Sequence, residues 1–142
     1  MLRHFGFAAA FALAALAGSA PAEAGVVAQI QLSTQRMTVT VDGTVRHVWA
    51  VSTARRGYAT PTGSFTPARL ERMWYSTVYD GAPMPHAVFF HYGFAVHGTP
   101  HTGALGRPAS HGCVRLHPAN ARTLFELIRT RGMANSRIVV TG

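Results

Sequence analysis

Apolar and β-branched residues alternate with polar ones on both sides of Asp42-Gly43. Met37-Thr38-Val39-Thr40-Val41 precedes the pair, and Thr44-Val45-Arg46-His47-Val48-Trp49-Ala50-Val51 follows it. Period-two alternation sends successive side chains to opposite faces of a strand, and Asp-Gly tolerates the positive φ angles of a tight two-residue turn. The segment predicts a β-hairpin inside a β-rich stretch over residues 26–54. Residues 87–90 and 94–97 read as strands around a Tyr92-Gly93 turn, and residues 136–141 as a closing strand. Thr60-Pro61-Thr62-Gly63 reads as a turn, because proline presets one backbone angle and glycine permits positive φ.

One stretch has the other period. Ala121, Leu124, Phe125 and Ile128 recur at helical spacing between Pro118, suited to a first helical position, and Gly132, suited to the residue past the end. A helix over residues 118–130 follows, and with it a mainly β fold class with one well-marked helix. There is no internal repeat or linker, so the expected organisation is one domain over residues 25–142, large enough to bury its own core.

The first 24 residues read as a separate segment. Arg3 and His4 precede an uncharged apolar run over residues 5–17, shorter than the ~20 residues a spanning helix needs. Ala22-Glu23-Ala24 places small residues where a signal peptidase reads them, so residues 1–24 are expected to be a signal peptide cleaved before Gly25, with a retained anchor as the alternative. The expected location is the periplasm or cell envelope.

Charge adds a constraint on partners. Thirteen basic residues against five acidic ones give +8, and every basic residue is arginine. The arginines are scattered apart from Arg55-Arg56 and lack interleaved aromatics, which argues against nucleic acid and for general attraction to an anionic envelope.

The chain has a single cysteine, Cys113, in Ser110-His111-Gly112-Cys113-Val114-Arg115-Leu116. A lone cysteine in an exported chain has no intramolecular disulfide to make, so it is read as a nucleophile. A thiol needs a base nearby. His111 is tied to Cys113 by the local backbone and sits beside it, whereas His97, arriving on a separate strand, can face the sulfur and is the better base. Gly112 and Cys113 amides would form an oxyanion hole. Arg115, two residues on and on the same side of a strand, has a planar fork that suits a substrate carboxylate. The Gly98 carbonyl is expected to hold the second ring nitrogen of His97, with Asp80 as the alternative. A thiolate and imidazolium pair would keep alkylation of Cys113 fast below the ordinary thiol pKa of ~8.5. Trp74-Tyr75 is expected to fall between the turn and the strands, as either packing or an aromatic wall. His47, His86, His91 and His117 are read as surface, core or capping residues, and His101 has no assigned role.

The spaced blocks resemble the catalytic domain of the L,D-transpeptidases, the cysteine enzymes of bacterial cell-wall cross-linking. The blocks are His97-Gly98-Thr99, Gly106-Arg107-Pro108 and Ser110-His111-Gly112-Cys113-Val114-Arg115, with Ser52-Thr53, residues 58–65 and Met84-Pro85 upstream. The resemblance runs from about Val26 to the C-terminus and implies a β-sandwich-like fold. It implies that Cys113 is acylated by a peptidoglycan stem peptide, that a terminal D-alanine leaves, and that an amine takes the acyl group. The product is a 3→3 cross-link or a wall-attached outer-membrane protein. Carried over by position, Cys113 is the nucleophile, His97 the base and Gly98 its orienting residue, with His111, Gly112 and Arg115 around them. Carbapenems are implied as covalent inhibitors, and no cofactor or metal is called for. Three alternatives stay open: a hydrolase using the same acyl-enzyme, an inert wall-binding protein, and a metal site among His97, His101, His111, Cys113 and His117.

Overall fold

A computed structural model describes residues 24–142, with Ala10 and Ala12 as isolated positions. The leader expected over residues 1–24 otherwise lies outside the described residues. Among the described residues, nine strands and one α-helix run in the order β1 (Val26–Gln31), β2 (Arg36–Val41), β3 (Thr44–Ala50), β4 (Gly63–Phe65), β5 (Arg69–Tyr75), β6 (Pro83–His91), β7 (Phe94–Gly98), β8 (Val114–Leu116), α1 (Pro118–Arg131) and β9 (Ser136–Thr141). They form two mixed sheets, β3-β2-β1-β9-β4 and β5-β6-β7-β8.

The expected hairpin joins β2 to β3, with Val41 opposite Thr44 and both Asp42 and Gly43 at positive φ. Such a loop matches the right-handed twist of its strands. The Asp42 carboxylate does a second job there, accepting the Gly25 N–H at 2.9 Å and pairing with Arg131 Nη1 at 2.8 Å. The turn is thereby tied to the start of β1 and the end of the helix. Helix α1 starts as expected at Pro118, with His117 as its cap accepting the Ala119 N–H through Nδ1 at 3.1 Å. It ends at Arg131, where Gly132 at φ +94° donates to the Ile128 carbonyl.

The core lies between the sheets and under the helix. Ala28, Ile30, Met37 and Val39 from the first sheet meet Val88, Phe90, Val96, Val114 and Leu116 from the second, and Leu124, Phe125 and Ile128 of α1 close one side. The arrangement is the β-sandwich-like fold with one helix. No helix among the described residues is long and apolar enough to cross a membrane.

Two readings of the chain need correction. Residues 60–62 form no turn and lead into β4; the chain reverses earlier, where the Tyr58 N–H donates to the Arg55 carbonyl at 3.0 Å and Gly57 takes φ +93°. The cause is long-range, because the buried Thr60 hydroxyl is anchored to Ala54 and to Gly112, 52 residues away. Trp74 and Tyr75 do not fall between elements but end β5, an unanticipated strand paired along β6.

Candidate active site

The site is built on the outer face of the second sheet. Strands β7 and β8 pair in parallel, with Val96 opposite Val114, His97 opposite Arg115 and Gly98 opposite Leu116. Alternation then divides the labour: Val96, Val114 and Leu116 enter the core, and His97 and Arg115 point the other way. Cys113 precedes β8 by one residue and shares the face of Arg115. Continuing the register sets it beside Ala95, whose amide faces the sulfur. His97 is then one diagonal step away, about 8 Å between α-carbons for standard strand spacings. Cys113, His97, Arg115, Ser110 and His111 line one cavity of about 870 Å³.

His97 is buried, 6% exposed, and its Nδ1 lies 2.7 Å from the Gly98 carbonyl oxygen. A carbonyl only accepts, so Nδ1 carries the proton and Nε2 presents a lone pair. Burial pushes the His97 pKa down to about 4, the Gly98 hydrogen bond works in the opposite sense, and Arg115 lowers it further. Burial also raises the Cys113 thiol, against smaller lowering effects from the Ala95 amide and Arg115. Both directions favour neutral partners. Burial thus disfavours the charged form of each group, the opposite of what a thiolate and imidazolium pair would need.

The bend before β8 is held from two sides. Ser110 Oγ donates to the Cys113 carbonyl at 2.6 Å and accepts the Gly112 N–H at 3.0 Å. Thr60 Oγ1 donates to the Gly112 carbonyl at 2.8 Å. Ser52 exchanges backbone hydrogen bonds with Arg115 at 3.0 and 2.8 Å, and the Thr53 carbonyl accepts from the Ala109 and Ser110 amides. The upstream block that carried part of the resemblance is thus the cradle of the cysteine bend. The expectation for Gly112 changes accordingly. Its N–H is taken by Ser110, which leaves the Cys113 amide as the backbone donor of that expected pair. Its glycine character has a steric cause: at φ +138° a β-carbon would stand 2.5 Å from the Phe94 ring and 3.0 Å from the Ala59 carbonyl.

His111 lies beside the cysteine. Its ring stacks on Tyr79, with centroids 4.0 Å apart and planes at 12°, and takes the edge of Tyr58 at 4.9 Å. Its pKa is lowered, first by burial and then by Arg55 and Arg115. Arg115 Nη1 donates to the Ala109 carbonyl at 3.4 Å, and the residue lines the cavity. Of the other histidines, His47 stacks on Trp49, His86 meets Phe125, and His91 packs between Phe65 and Phe94. Among the described residues no three His, Cys, Asp or Glu side chains converge as a metal site would require. Asp80 lines the cavity, but the second ring nitrogen of His97 belongs to Gly98. Sequence reasoning missed Ser110 and Thr60 as braces of the bend, and Tyr79 as the partner of His111. Trp74 does line the cavity, while meeting Phe89 edge-on.

Comparison with known proteins identifies the family of the fold. The family pattern of the L,D-transpeptidase catalytic domain (YkuD) matches residues 25–140. No curated protein matches the sequence. Among solved structures the fold is similar to an L,D-transpeptidase from Mycobacterium smegmatis, with a TM-score of 0.75 and 27% identity over 84% of this chain and 59% of that one. It is also similar to L,D-transpeptidase 3 from Mycobacterium tuberculosis in complex with a faropenem-derived adduct (TM-score 0.69, 27% identity, 83% of this chain, 60% of that one). A third similar structure is LD transpeptidase LdtMt1 in complex with imipenem (TM-score 0.71, 25% identity, 82% of this chain, 59% of that one). The chain thus spans about three-fifths of the length of these relatives. With the pattern matched over almost all of residues 25–142 and a similar overall fold, the chain belongs to the L,D-transpeptidase catalytic-domain family.

Proposed function

We propose that the protein transfers a peptidoglycan stem peptide through a thioester on Cys113. The observation that carries the reading is the tautomer of His97: with Nδ1–H given to Gly98, Nε2 is free to take the thiol proton as the sulfur attacks. The thiol adds to the carbonyl of the L-centre of the diamino acid at the third stem position. The oxyanion accepts the Cys113 N–H, in a site where burial strengthens such a bond. Collapse breaks the peptide bond, the imidazolium returns its proton to the leaving amine, and D-alanine departs. An acceptor amine then attacks the thioester, His97 removes the amine's proton, and Cys113 regains it as the thiol. Arg115, beside the nucleophile, takes the carboxylate of the residue that leaves.

Two products fit this cycle, a 3→3 cross-link with a second stem peptide and a wall-attached outer-membrane protein bearing an amine. Both place the protein in the periplasm or cell envelope, which agrees with the leader expected over residues 1–24. Carbapenems are expected to acylate Cys113, a reading supported by the imipenem complex and the faropenem-derived adduct of the relatives. The test is incubation of the protein with purified sacculi followed by mass spectrometry of the muropeptides. Transfer yields 3→3 linked dimers that Cys113→Ala does not make. Tripeptide without dimers would mean that water resolves the acyl-enzyme, and would overturn transfer.

A further inference from the structure

The cavity holds a second guanidinium that the chemistry at Cys113 leaves unused. Arg69 on β5 stands opposite Phe89 of β6, and Phe89 stands opposite Ala95 of β7. The β7–β8 register then carries Ala95 to Cys113. Arg69, Phe89, Ala95 and Cys113 form one row across the sheet, and Arg69, Phe89 and Cys113 line the cavity. Strands about 4.8 Å apart put the backbones of Arg69 and Cys113 about 14 Å from one another. The guanidinium is folded back along that row. Its Cζ lies 4.2 Å from the Phe89 ring centroid and 4.4 Å from that of Trp74. The charge therefore sits above the Phe89 strand, about 10 Å from Cys113 by the same spacing.

A guanidinium laid on two aromatic faces keeps the edge of its fork for a planar anion. That edge is open. Glu71 makes a loose ion pair with Nε at 3.8 Å, beyond hydrogen-bond range, and 47% of the Arg69 side chain is exposed. Asp80 is the one acid among the residues lining the cavity, against Arg69 and Arg115, so the cavity suits a peptide carrying more than one carboxylate.

We infer that Arg69 is a specificity-determining residue that binds a second carboxylate of the donor peptide, remote from the attacked carbonyl; this rests on the donor reading proposed above. Distance separates the two arginines. A single residue follows the scissile bond, and one extended residue covers about 3.3 Å, so its carboxylate reaches Arg115 but falls short of Arg69. A carboxylate on the residue preceding the diamino acid spans the gap, as does the one ending the diamino acid's side chain.

The experiment measures kcat/KM for three synthetic donor tetrapeptides: one unmodified, one amidated on the preceding residue and one amidated at the end of the diamino acid's side chain. The wild type is expected to lose about 10- to 100-fold on one of the two amidated donors, the size of a charge-assisted hydrogen bond. Arg69→Gln is expected to lose that factor on the unmodified donor and to show no further loss on amidation, the mark of a coupled pair. Arg69→Lys, which keeps the charge without the fork, should discriminate to an intermediate degree, and it decides the matter if Arg69→Gln does not fold. Equal wild-type rates on all three donors would overturn the inference. So would a uniform fall on all three in both variants, which would leave Arg69 a packing role only. If the wild type turns over none of the donors, the donor reading fails as well.

Discussion

The two faces of the β5-β6-β7-β8 sheet are made from alternate residues of the same strands, yet they do opposite work. On the inner face Val88, Phe90, Val96, Val114 and Leu116 are all but excluded from water and packed against the first sheet and α1. On the outer face Phe89, His97, Cys113 and Arg115 line a cavity. In β8 the division occurs within three residues, with Val114 and Leu116 inward and Arg115 outward. A strand that short holds a reactive face in register only because its other face is locked in the core. Stability and chemistry are therefore expected to separate by residue parity.

The largest expected effect is on the outer face. Cys113→Ala should abolish acyl transfer, a loss on the order of 10⁴-fold or more, with little change in melting temperature. A comparable loss of stability would break the division. His97→Gln comes next, with acylation down about 10²- to 10⁴-fold. His97 also connects the two faces through pH. With a folded pKa of about 4 against an ordinary 6.5, the buried imidazole binds fewer protons in the folded state. Its contribution is complete above pH 6.5 and is lost as pH falls from 6.5 towards 4, on the order of 3 kcal/mol across that window. Melting temperature against pH should show this slope in the wild type and a flatter one in His97→Gln. The raised Cys113 thiol predicts iodoacetamide alkylation that keeps rising above the ordinary thiol pKa, because burial holds its proton.

On the inner face, Leu116→Ala should cost about 2–4 kcal/mol in denaturant unfolding. The folded fraction should keep its reactivity per molecule. Tyr79→Ala is expected to have the smallest effect. It removes the stack on His111, worth about 0.5–1.5 kcal/mol, and should raise KM several-fold while leaving the alkylation rate of Cys113 unchanged.

What the sequence disclosed follows the same physical division. The Asp42-Gly43 hairpin, helix α1 and strand β9 were legible because period and turn chemistry are local. The positions of Cys113 and His97 were legible through spaced motifs. What escaped depended on long-range contacts. Arg69-Leu70-Glu71-Arg72-Met73-Trp74-Tyr75 lacks clean alternation and becomes β5 by pairing with β6. Thr60 was read as part of a turn because its burial depends on Gly112, far along the chain. The Gly112 amide looked free until Ser110 Oγ was placed on it. The directions of the His97 and Cys113 pKa shifts escaped for a related reason, since burial of both groups is not written in their spacing.

The most direct test of the central claim, that Cys113 accepts an acyl group with His97 as its base, is intact-mass measurement after exposure to a carbapenem. One covalent adduct is expected, mapped to Cys113, absent from Cys113→Ala and formed more slowly by His97→Gln. No adduct on the wild type, or an equal adduct on Cys113→Ala, would contradict it.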